Sequence, residues 1–120
     1  MIKFTVPGKP VPKGRPRVMR GGYTFTPKKT LNHEKLIGFY AISARNASKD
    51  SILGGDISME TIFSGANPLA DIDNLQKTVM DSLNGILFKD DRQIVESKAK
   101  KLPCPKGQER TDIVVYEIKA

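Results

Sequence analysis

The chain has 120 residues, of which 38% are hydrophobic and 28% charged, and a formal net charge of +7. This length fits one domain, residues 1–120, and the composition excludes a disordered chain and a membrane protein, since no apolar run approaches the roughly 18 residues of a membrane span. The single cysteine cannot form an internal disulfide, and the N-terminus lacks the apolar core of a signal peptide, so we expect a cytoplasmic protein.

The first predicted elements are a strand and an irregular segment. Apolar and polar residues alternate over residues 2–6, as in a half-buried strand. Residues 7–22 hold repeated prolines and glycines, which exclude regular structure there. Residues 23–26 fit a short strand that Pro27 ends.

A helix and a second long strand are predicted next. Residues 30–49 carry apolar side chains at helical spacing, and either Thr30 or Asn32 fits the N-cap. Two adjacent glycines, at 54 and 55, mark a turn. The alternation over residues 57–63 then predicts a strand.

A second helix is predicted over residues 73–84. Asp73 stands three residues before Gln76, which has the form of a capping box with Asp in place of Ser or Thr. Gly85 fits the C-cap of this helix. The apolar stripe that would pack against the rest of the protein is formed by Leu75, Val79 and Leu83.

Two further strands complete the predicted fold. They cover residues 93–99 and residues 112–118, of which the second is rich in Val, Ile and Tyr. The resulting order predicts an α/β (α+β) domain, in which two helices cover a small mixed sheet of about four to five strands.

Positive charge is concentrated at the beginning of the chain. Residues 1–35 hold nine Lys or Arg residues and one acid, a net charge of +8, and the remaining 85 residues sum to −1. This distribution suggests a polyanionic partner such as nucleic acid and a separate site for a cation, although small basic proteins are often merely soluble.

The basic residues of the Pro/Gly-rich loop, residues 7–22, are candidates for binding phosphate groups. Each such contact would add affinity that depends on salt, and no sequence specificity. The alternative is a solvated surface loop. The candidate DNA-binding side chains are Lys9, Lys13, Arg15, Arg17 and Arg20. A second candidate patch comprises Lys98, Lys100 and Lys101.

Carboxylates are concentrated in an acidic segment, residues 71–95. Asp71 and Asp73 come just before the second helix, where an extended backbone would point both side chains the same way. The positive end of the helix dipole would keep Asp73 ionised. An Asp-x-Asp pair is a weak signal by itself, and Asp73 also has a purely structural explanation as the helix N-cap.

Further charged residues of the acidic segment are expected near this pair. At about 100° per residue, Asp73, Lys77 and Asp81 lie within roughly 80° on the helix surface, well removed from the apolar stripe. Asp91 comes in the loop before the next strand, and an adjacent strand would return it to the start of the helix. Each of these features also has a common structural explanation. A lysine four residues from an acid on a helix usually forms an i, i+4 ion pair, and two adjacent acids usually belong to a turn.

Oxygen ligands of this kind suit Mg²⁺ or Mn²⁺. The only histidine, His33, is far away in sequence and no cysteine is near, so a zinc site is not expected. Magnesium can lower the pKa of a bound water and neutralise a phosphate, and a nearby lysine can stabilise the added negative charge. The acidic segment is therefore a candidate metal site for phosphodiester hydrolysis.

Two stretches of the acidic segment together resemble the signature of a known family. Residues 71–77 are Asp-Ile-Asp-Asn-Leu-Gln-Lys, Asp81 follows on the same helix, and residues 88–95 contain an Asp pair that opens a strand. This order is similar to the D-x-D-N-L-x-K, further Asp and D-D pattern of the RusA-type Holliday-junction resolvases (crossover junction endodeoxyribonucleases). Residues 8–17 and 24–27 are also similar to many members.

The resemblance implies an activity and the roles of the site residues. Members are small, homodimeric, Mg²⁺-dependent endodeoxyribonucleases of phages, prophages and bacteria. They resolve Holliday junctions, which are four-way branched DNA, by paired symmetric cuts in DNA recombination and repair. The resemblance implies that Asp71, Asp73 and Asp91 bind Mg²⁺, with Mn²⁺ as a substitute, and that these residues and Lys77 are catalytic. It leaves Asp90 open as the alternative to Asp91, and it implies a RusA-like fold.

Three other functions are compatible with these residues. One is a simpler structure-specific metal nuclease that acts on flaps, nicks or forks. A second is a non-catalytic DNA-binding protein whose acids are structural. A third, an Asp-x-Asp nucleotide-sugar transferase, is disfavoured because the chain is short for a nucleotide-binding domain and has no Gly-rich phosphate loop.

Overall fold

A computed structural model of the protein describes residues 1–14, 17–18, 21–22, 24–25 and 27–118, and for residues 17, 18, 24 and 25 it describes the backbone alone. The elements, in chain order, are β1 (Ile2–Pro7), β2 (Arg17–Val18), β3 (Thr24–Phe25), α1 (Lys28–Ser48), β4 (Ile57–Ser64), α2 (Ile72–Leu83), β5 (Ile94–Leu102) and β6 (Arg110–Glu117). A single 3-10 turn, Asp91–Gln93, precedes β5.

Four strands form one mixed sheet in the order β1-β6-β4-β5. β6 runs antiparallel to both β1 and β4, whereas β4 and β5 are parallel. Parallel neighbours need a crossover connection, and α2 lies in the connection between β4 and β5. The short strands β2 and β3 pair with each other as a separate two-stranded sheet. The predicted α+β fold with two helices on a mixed sheet is confirmed, and the main sheet has four strands, the lower end of the predicted range.

The core lies between the sheet and the two helices. Alternate residues of β4 and β6 are almost fully buried, including Met59, Phe63, Ile113 and Val115. Full burial of a side chain of this size contributes roughly 1.5–3 kcal/mol to folding. The predicted apolar stripe of α2 is confirmed, because it belongs to the same core cluster: Leu75, Val79 and Leu83.

The first helix begins two residues earlier than predicted. Its N-cap is Pro27, and no side chain caps it, so the predicted caps at Thr30 or Asn32 are wrong. The fixed φ of proline suits the entry to a helix, and α1 starts directly after it. Thr30 is buried inside α1, where its hydroxyl accepts a hydrogen bond from the Gly14 backbone N–H at 3.1 Å. That hydroxyl therefore ties the basic loop to α1.

No helix in the described ranges combines the length and the apolar character that a membrane crossing requires. α1 has 21 residues, but Lys, Glu and Arg side chains interrupt it.

Candidate metal and nucleic-acid site

The first part of the site is the beginning of α2. Asp71 is the N-cap, with extended backbone angles, and its Oδ1 accepts a hydrogen bond from the Asp73 backbone N–H at 2.9 Å. The predicted N-cap at Asp73 is therefore wrong, because the helix begins at Ile72 and places Asp73 in its first turn. The predicted extended backbone through both residues, which would point the side chains of Asp71 and Asp73 the same way, is therefore absent. Both carboxylates are exposed beside the positive end of the helix dipole.

A lysine of the sheet supports the loop that leads to Asp71. Lys101 of β5 donates hydrogen bonds from Nζ to the carbonyl oxygens of Pro68 at 3.0 Å and Ala70 at 2.6 Å. At the start of this loop, Gly65 has a φ of 77°, and a Cβ there would lie 2.7 Å from the sulfur of Cys104. The position of Asp71 thus depends on the sheet as well as on its own helix.

The second part of the site is the turn that contains the acid pair. Asp90 caps the 3-10 turn, since its Oδ1 accepts from the Arg92 backbone N–H at 2.9 Å. Its Oδ2 pairs with the Arg92 guanidinium, at 3.3 Å from Nε and 3.2 Å from Nη2. Both oxygens of Asp90 are therefore engaged, whereas Asp91 is the first residue of the turn itself.

A single glutamine anchors this turn to the rest of the protein. The Oε1 of Gln93 accepts hydrogen bonds from the backbone N–H groups of Lys89, at 2.9 Å, and Asp90, at 3.2 Å. Its Nε2 donates to the carbonyl oxygens of Leu53, at 3.1 Å, and Gly55, at 3.0 Å. Gln93 thereby links the acid pair to the segment before β4.

Lys77 joins the middle of α2 to the turn that contains the acid pair. Its ammonium nitrogen lies 3.5 Å from Asp81 Oδ1 on the same helix and 4.0 Å from Asp91 Oδ2 on the turn. A hydrogen bond between the side chains of Gln76 and Ser97 also joins α2 to β5. Asp91 therefore meets α2 at Lys77, whereas the sequence predicted that it would return to the start of the helix, beside Asp71 and Asp73.

The two adjacent acids have different proton affinities. The hydrogen bond from the Arg92 backbone N–H lowers the pKa of Asp90 below its ordinary value, with further help from Asp91 and the Arg92 side chain. The hydrogen bond with Asp90 and partial burial raise the pKa of Asp91, although Lys77 opposes this effect. Asp90 is therefore the more acidic member of the pair.

Lys13 of the basic loop is part of this charged cluster. Its Nζ lies 2.7 Å from Glu34 Oε1 and 3.0 Å from Asp81 Oδ2. Burial by itself lowers the pKa of Lys13, but the hydrogen bonds to Glu34 and Asp81 raise it above its ordinary value. Its backbone N–H also donates to the Asn74 carbonyl at 2.8 Å. The structure therefore gives this predicted phosphate-binding residue a role inside the protein.

Lys9 lies close to the acidic segment and is exposed. It lines a cavity of about 260 Å³ together with Lys29 of α1 and the loop residues Asn67 and Ala70. Two cationic side chains therefore lie next to the loop that leads to Asp71. Arg15 and Arg20 lie outside the described residues, and for Arg17 only the backbone is described.

The structure brings some of the predicted residues together and leaves others apart. Lys77, Asp81 and Asp91 form one cluster, and Asp71 and Asp73 share the first turn of the same helix. Within residues 1–14 and 27–118 and the short pieces between them, no three His, Cys, Asp or Glu side chains are grouped so as to hold a metal ion. The carboxylates therefore offer separate oxygen ligands and no preformed cage.

Sequence reasoning missed two residues that shape the site, Lys29 and Gln93, and it predicted a different role for a third, Lys101, which it placed in a basic patch. Gln93 had a detectable signal, because it follows Asp90 by three residues in the form of a capping box. Lys29 belongs to the basic N-terminal third but was not selected. The support that Lys101 gives to the loop carried no sequence signal, since its carbonyl partners are more than 30 residues away in sequence.

Two comparisons with known proteins bear on the class of this protein. The family described as Endodeoxyribonuclease RusA matches the chain over residues 7–116, nearly its whole length. The chain is also similar to a protein of Bacillus subtilis (strain 168) described as "Uncharacterized protein YqaN", with 28% identity over 144 aligned residues that cover 99% of this chain and 98% of that relative.

The fold, the acidic segment and this match place the protein among the enzymes that cut DNA internally. The chain belongs to the RusA endodeoxyribonuclease family. The family that residues 71–95 predicted is thereby confirmed.

Proposed function

We propose that this protein is a divalent-metal-dependent nuclease that resolves four-way branched DNA, the Holliday junction, in recombination and repair. The observation that carries the proposal is the position of the Lys77 ammonium, which lies 4.0 Å from Asp91. This contact brings the two halves of the family signature to one place, although they are separated along the chain. Family membership supplies the reaction class, and the site supplies the residues.

We assign a hard divalent cation, Mg²⁺ or Mn²⁺, to the acidic segment, with Asp71, Asp73 and Asp91 as its candidate ligands. All three are carboxylates, and oxygen is the ligand atom that these ions prefer. The Asp71 carboxylate uses Oδ1 for the cap and accepts no other hydrogen bond among the described residues. Magnesium commonly binds one or two carboxylates plus substrate phosphates, so it does not need a cage of three protein ligands.

The ion, when bound, would activate water and neutralise charge on the scissile phosphate. The chain's own residues have complementary roles. Lys77, whose side chain is 53% exposed, would approach the phosphate and stabilise the negative charge that develops there. Asp90 is engaged at both oxygens by Arg92, so it holds the turn and leaves Asp91 as the ligand.

The flanks of the site support binding of a polyanion. Carboxylates repel DNA, so cations must lie beside them for the phosphate backbone to approach. Lys9 and Lys29 meet this need, because both line the cavity next to Ala70. We assign the DNA-binding function to four residues of the basic loop: Lys9, Arg15, Arg17 and Arg20. Such contacts supply affinity that falls as salt rises.

A junction must be cut on two strands, and a twofold dimer would supply two sites of matching symmetry. The surface of α1 is compatible with a second copy. Leu31, Phe39 and Ile42 are 42%, 63% and 41% exposed and line one groove between α1 and α2. Exposed apolar surface of this kind is typical of interaction sites.

The test is cleavage of three labelled DNAs, a four-way junction, a flap and a linear duplex, with and without Mg²⁺. We expect paired, symmetric nicks in the junction only when Mg²⁺ is present. Asp71→Asn should reduce cleavage about a thousandfold or more, since several kcal/mol of transition-state stabilisation would be lost. Junction binding should stay intact or become tighter, because negative charge facing DNA is removed.

The structure makes Asp71→Asn a clean substitution, because Asn is as good an N-cap as Asp and α2 should keep its start. Asp112→Asn is the matched control, since Asp112 bonds Thr5 and Arg110 on the sheet and should cut like wild type. Equal rates on all three DNAs would contradict junction resolution and would indicate a general nuclease. Strong cleavage by Asp71→Asn would refute the metal-site assignment.

A further inference from the structure

Five charged side chains of alternating sign form a continuous row from α1 to the acidic turn. In order they are Glu34, Lys13, Asp81, Lys77 and Asp91. The successive nitrogen–oxygen distances are 2.7, 3.0, 3.5 and 4.0 Å, so the pairs become looser towards the proposed metal ligand. The proposed function uses Lys77 and Asp91 and leaves the rest of the row without a role.

Asp81 is the centre of this row and is shared by two lysines. Its Oδ2 pairs with Lys13 and its Oδ1 with Lys77. Lys13 is held from three directions, by Glu34, by Asp81 and through its backbone N–H by Asn74. Asp81 is therefore fixed on one side by a lysine that cannot easily move.

Lys77 is the most exposed member of the row. Its side chain is 53% exposed, whereas that of Asp81 is 22% exposed. Within the described residues, the carboxylates that lie within 4.0 Å of its nitrogen are Asp81 and Asp91. If Asp81 lost its charge, the ammonium would be attracted to Asp91 alone, and it would compete there with a divalent cation for the same oxygens.

We propose that Asp81 is a positioning residue, which keeps the Lys77 ammonium off the Asp91 carboxylate and so leaves Asp91 able to bind a divalent cation. Lys13 acts indirectly, because it orients the Asp81 carboxylate, which in turn holds Lys77. This inference rests on the proposed function in one respect, that Asp91 is a metal ligand. It assigns to Lys13 a part in metal binding in addition to any contact with DNA.

The test is binding of Mn²⁺ in the absence of DNA, measured by the electron paramagnetic resonance signal of the free ion. Asp81→Asn should weaken Mn²⁺ binding by about 10- to 100-fold, as is usual for residues that orient a metal ligand. Asp81→Glu keeps the charge and should recover most of the affinity. Asp112→Asn removes a distant carboxylate and should bind Mn²⁺ like wild type. Thermal melting of each variant checks that it is folded.

A double substitution separates positioning from simple loss of negative charge. If Asp81 acts through Lys77, Asp81→Asn should have no further effect on Mn²⁺ affinity in a Lys77→Met background. An equal loss of affinity in both backgrounds would overturn the proposal, as would unchanged affinity in Asp81→Asn. In cleavage assays the defect of Asp81→Asn should shrink as Mg²⁺ is raised, which a misfolded site would not allow.

The outcomes distinguish this inference from the proposed function. If wild type binds Mn²⁺ but cuts no branched DNA, the proposed function fails and the binding series still decides the role of Asp81. If wild type binds no Mn²⁺, or if Asp91→Asn binds it as well as wild type, the inference is overturned.

Discussion

The two acidic parts of the site use the same local geometry with different results. Asp71 and Asp90 each accept a hydrogen bond from the backbone N–H two residues later, at 2.9 Å in both cases. Asp71 makes this bond with one oxygen, whereas Asp90 also commits its second oxygen to Arg92. Among the described residues, the capping carboxylate of α2 therefore keeps one oxygen without a partner, whereas both oxygens of the capping carboxylate at the turn are engaged.

The supports of the two parts also differ. The loop before Asp71 is held by one charged donor, Lys101, through two carbonyl oxygens. The turn with Asp91 is held by the neutral side chain of Gln93 through four hydrogen bonds. Each acidic part is thus held by a residue that is not itself a candidate ligand, and each support can be removed separately.

The largest expected effect tests the difference between the adjacent acids. Asp91→Asn should reduce junction cleavage about a thousandfold or more, because a metal ligand is lost. Asp90→Asn should reduce it about tenfold at most, because Asn still caps the turn. Single-turnover cleavage of a four-way junction measures both. Comparable losses in the two variants would break the distinction drawn between the two acids.

The next effect concerns the support of the turn. Gln93→Ala removes four hydrogen bonds and should lower the free energy of unfolding by about 1–3 kcal/mol. Urea unfolding measures this loss, with Gln108→Ala, at an exposed loop position, as the matched control. Cleavage by Gln93→Ala should also fall, because Asp91 is no longer held near Lys77. If Gln93→Ala had both the stability and the cleavage rate of wild type, the turn would not need Gln93 as an anchor.

The smallest effect concerns the loop before Asp71. Lys101→Met removes two hydrogen bonds to carbonyl oxygens and should cost about 1–2 kcal/mol of stability. Lys100→Met, at the adjacent position of the same strand, is the control and should unfold like wild type. If both variants lost the same stability, the contacts of Lys101 with Pro68 and Ala70 would not be what supports this loop.

The elements were largely predictable, because they depend on local patterns. Alternation over residues 2–6 and 57–63 and the apolar stripe of α2 gave strands and a helix that the structure contains. The errors lie at the helix starts. Both first turns hold several plausible caps, and the choice of Pro27 over Thr30 and of Asp71 over Asp73 depends on where the preceding chain is held. Lys101 holds it for α2, and the Gly14–Thr30 contact orders the segment near α1.

The sequence by itself determined the family, the acidic and basic character of the two ends of the site, and the identity of its candidate residues. These follow from residue types at fixed spacing, which folding does not change. Only the tertiary structure decided that Lys13 pairs with Glu34 and Asp81 and that Lys77 meets Asp91. These partners come together through packing of α2 against α1 and β5, and no local pattern records such long-range contacts.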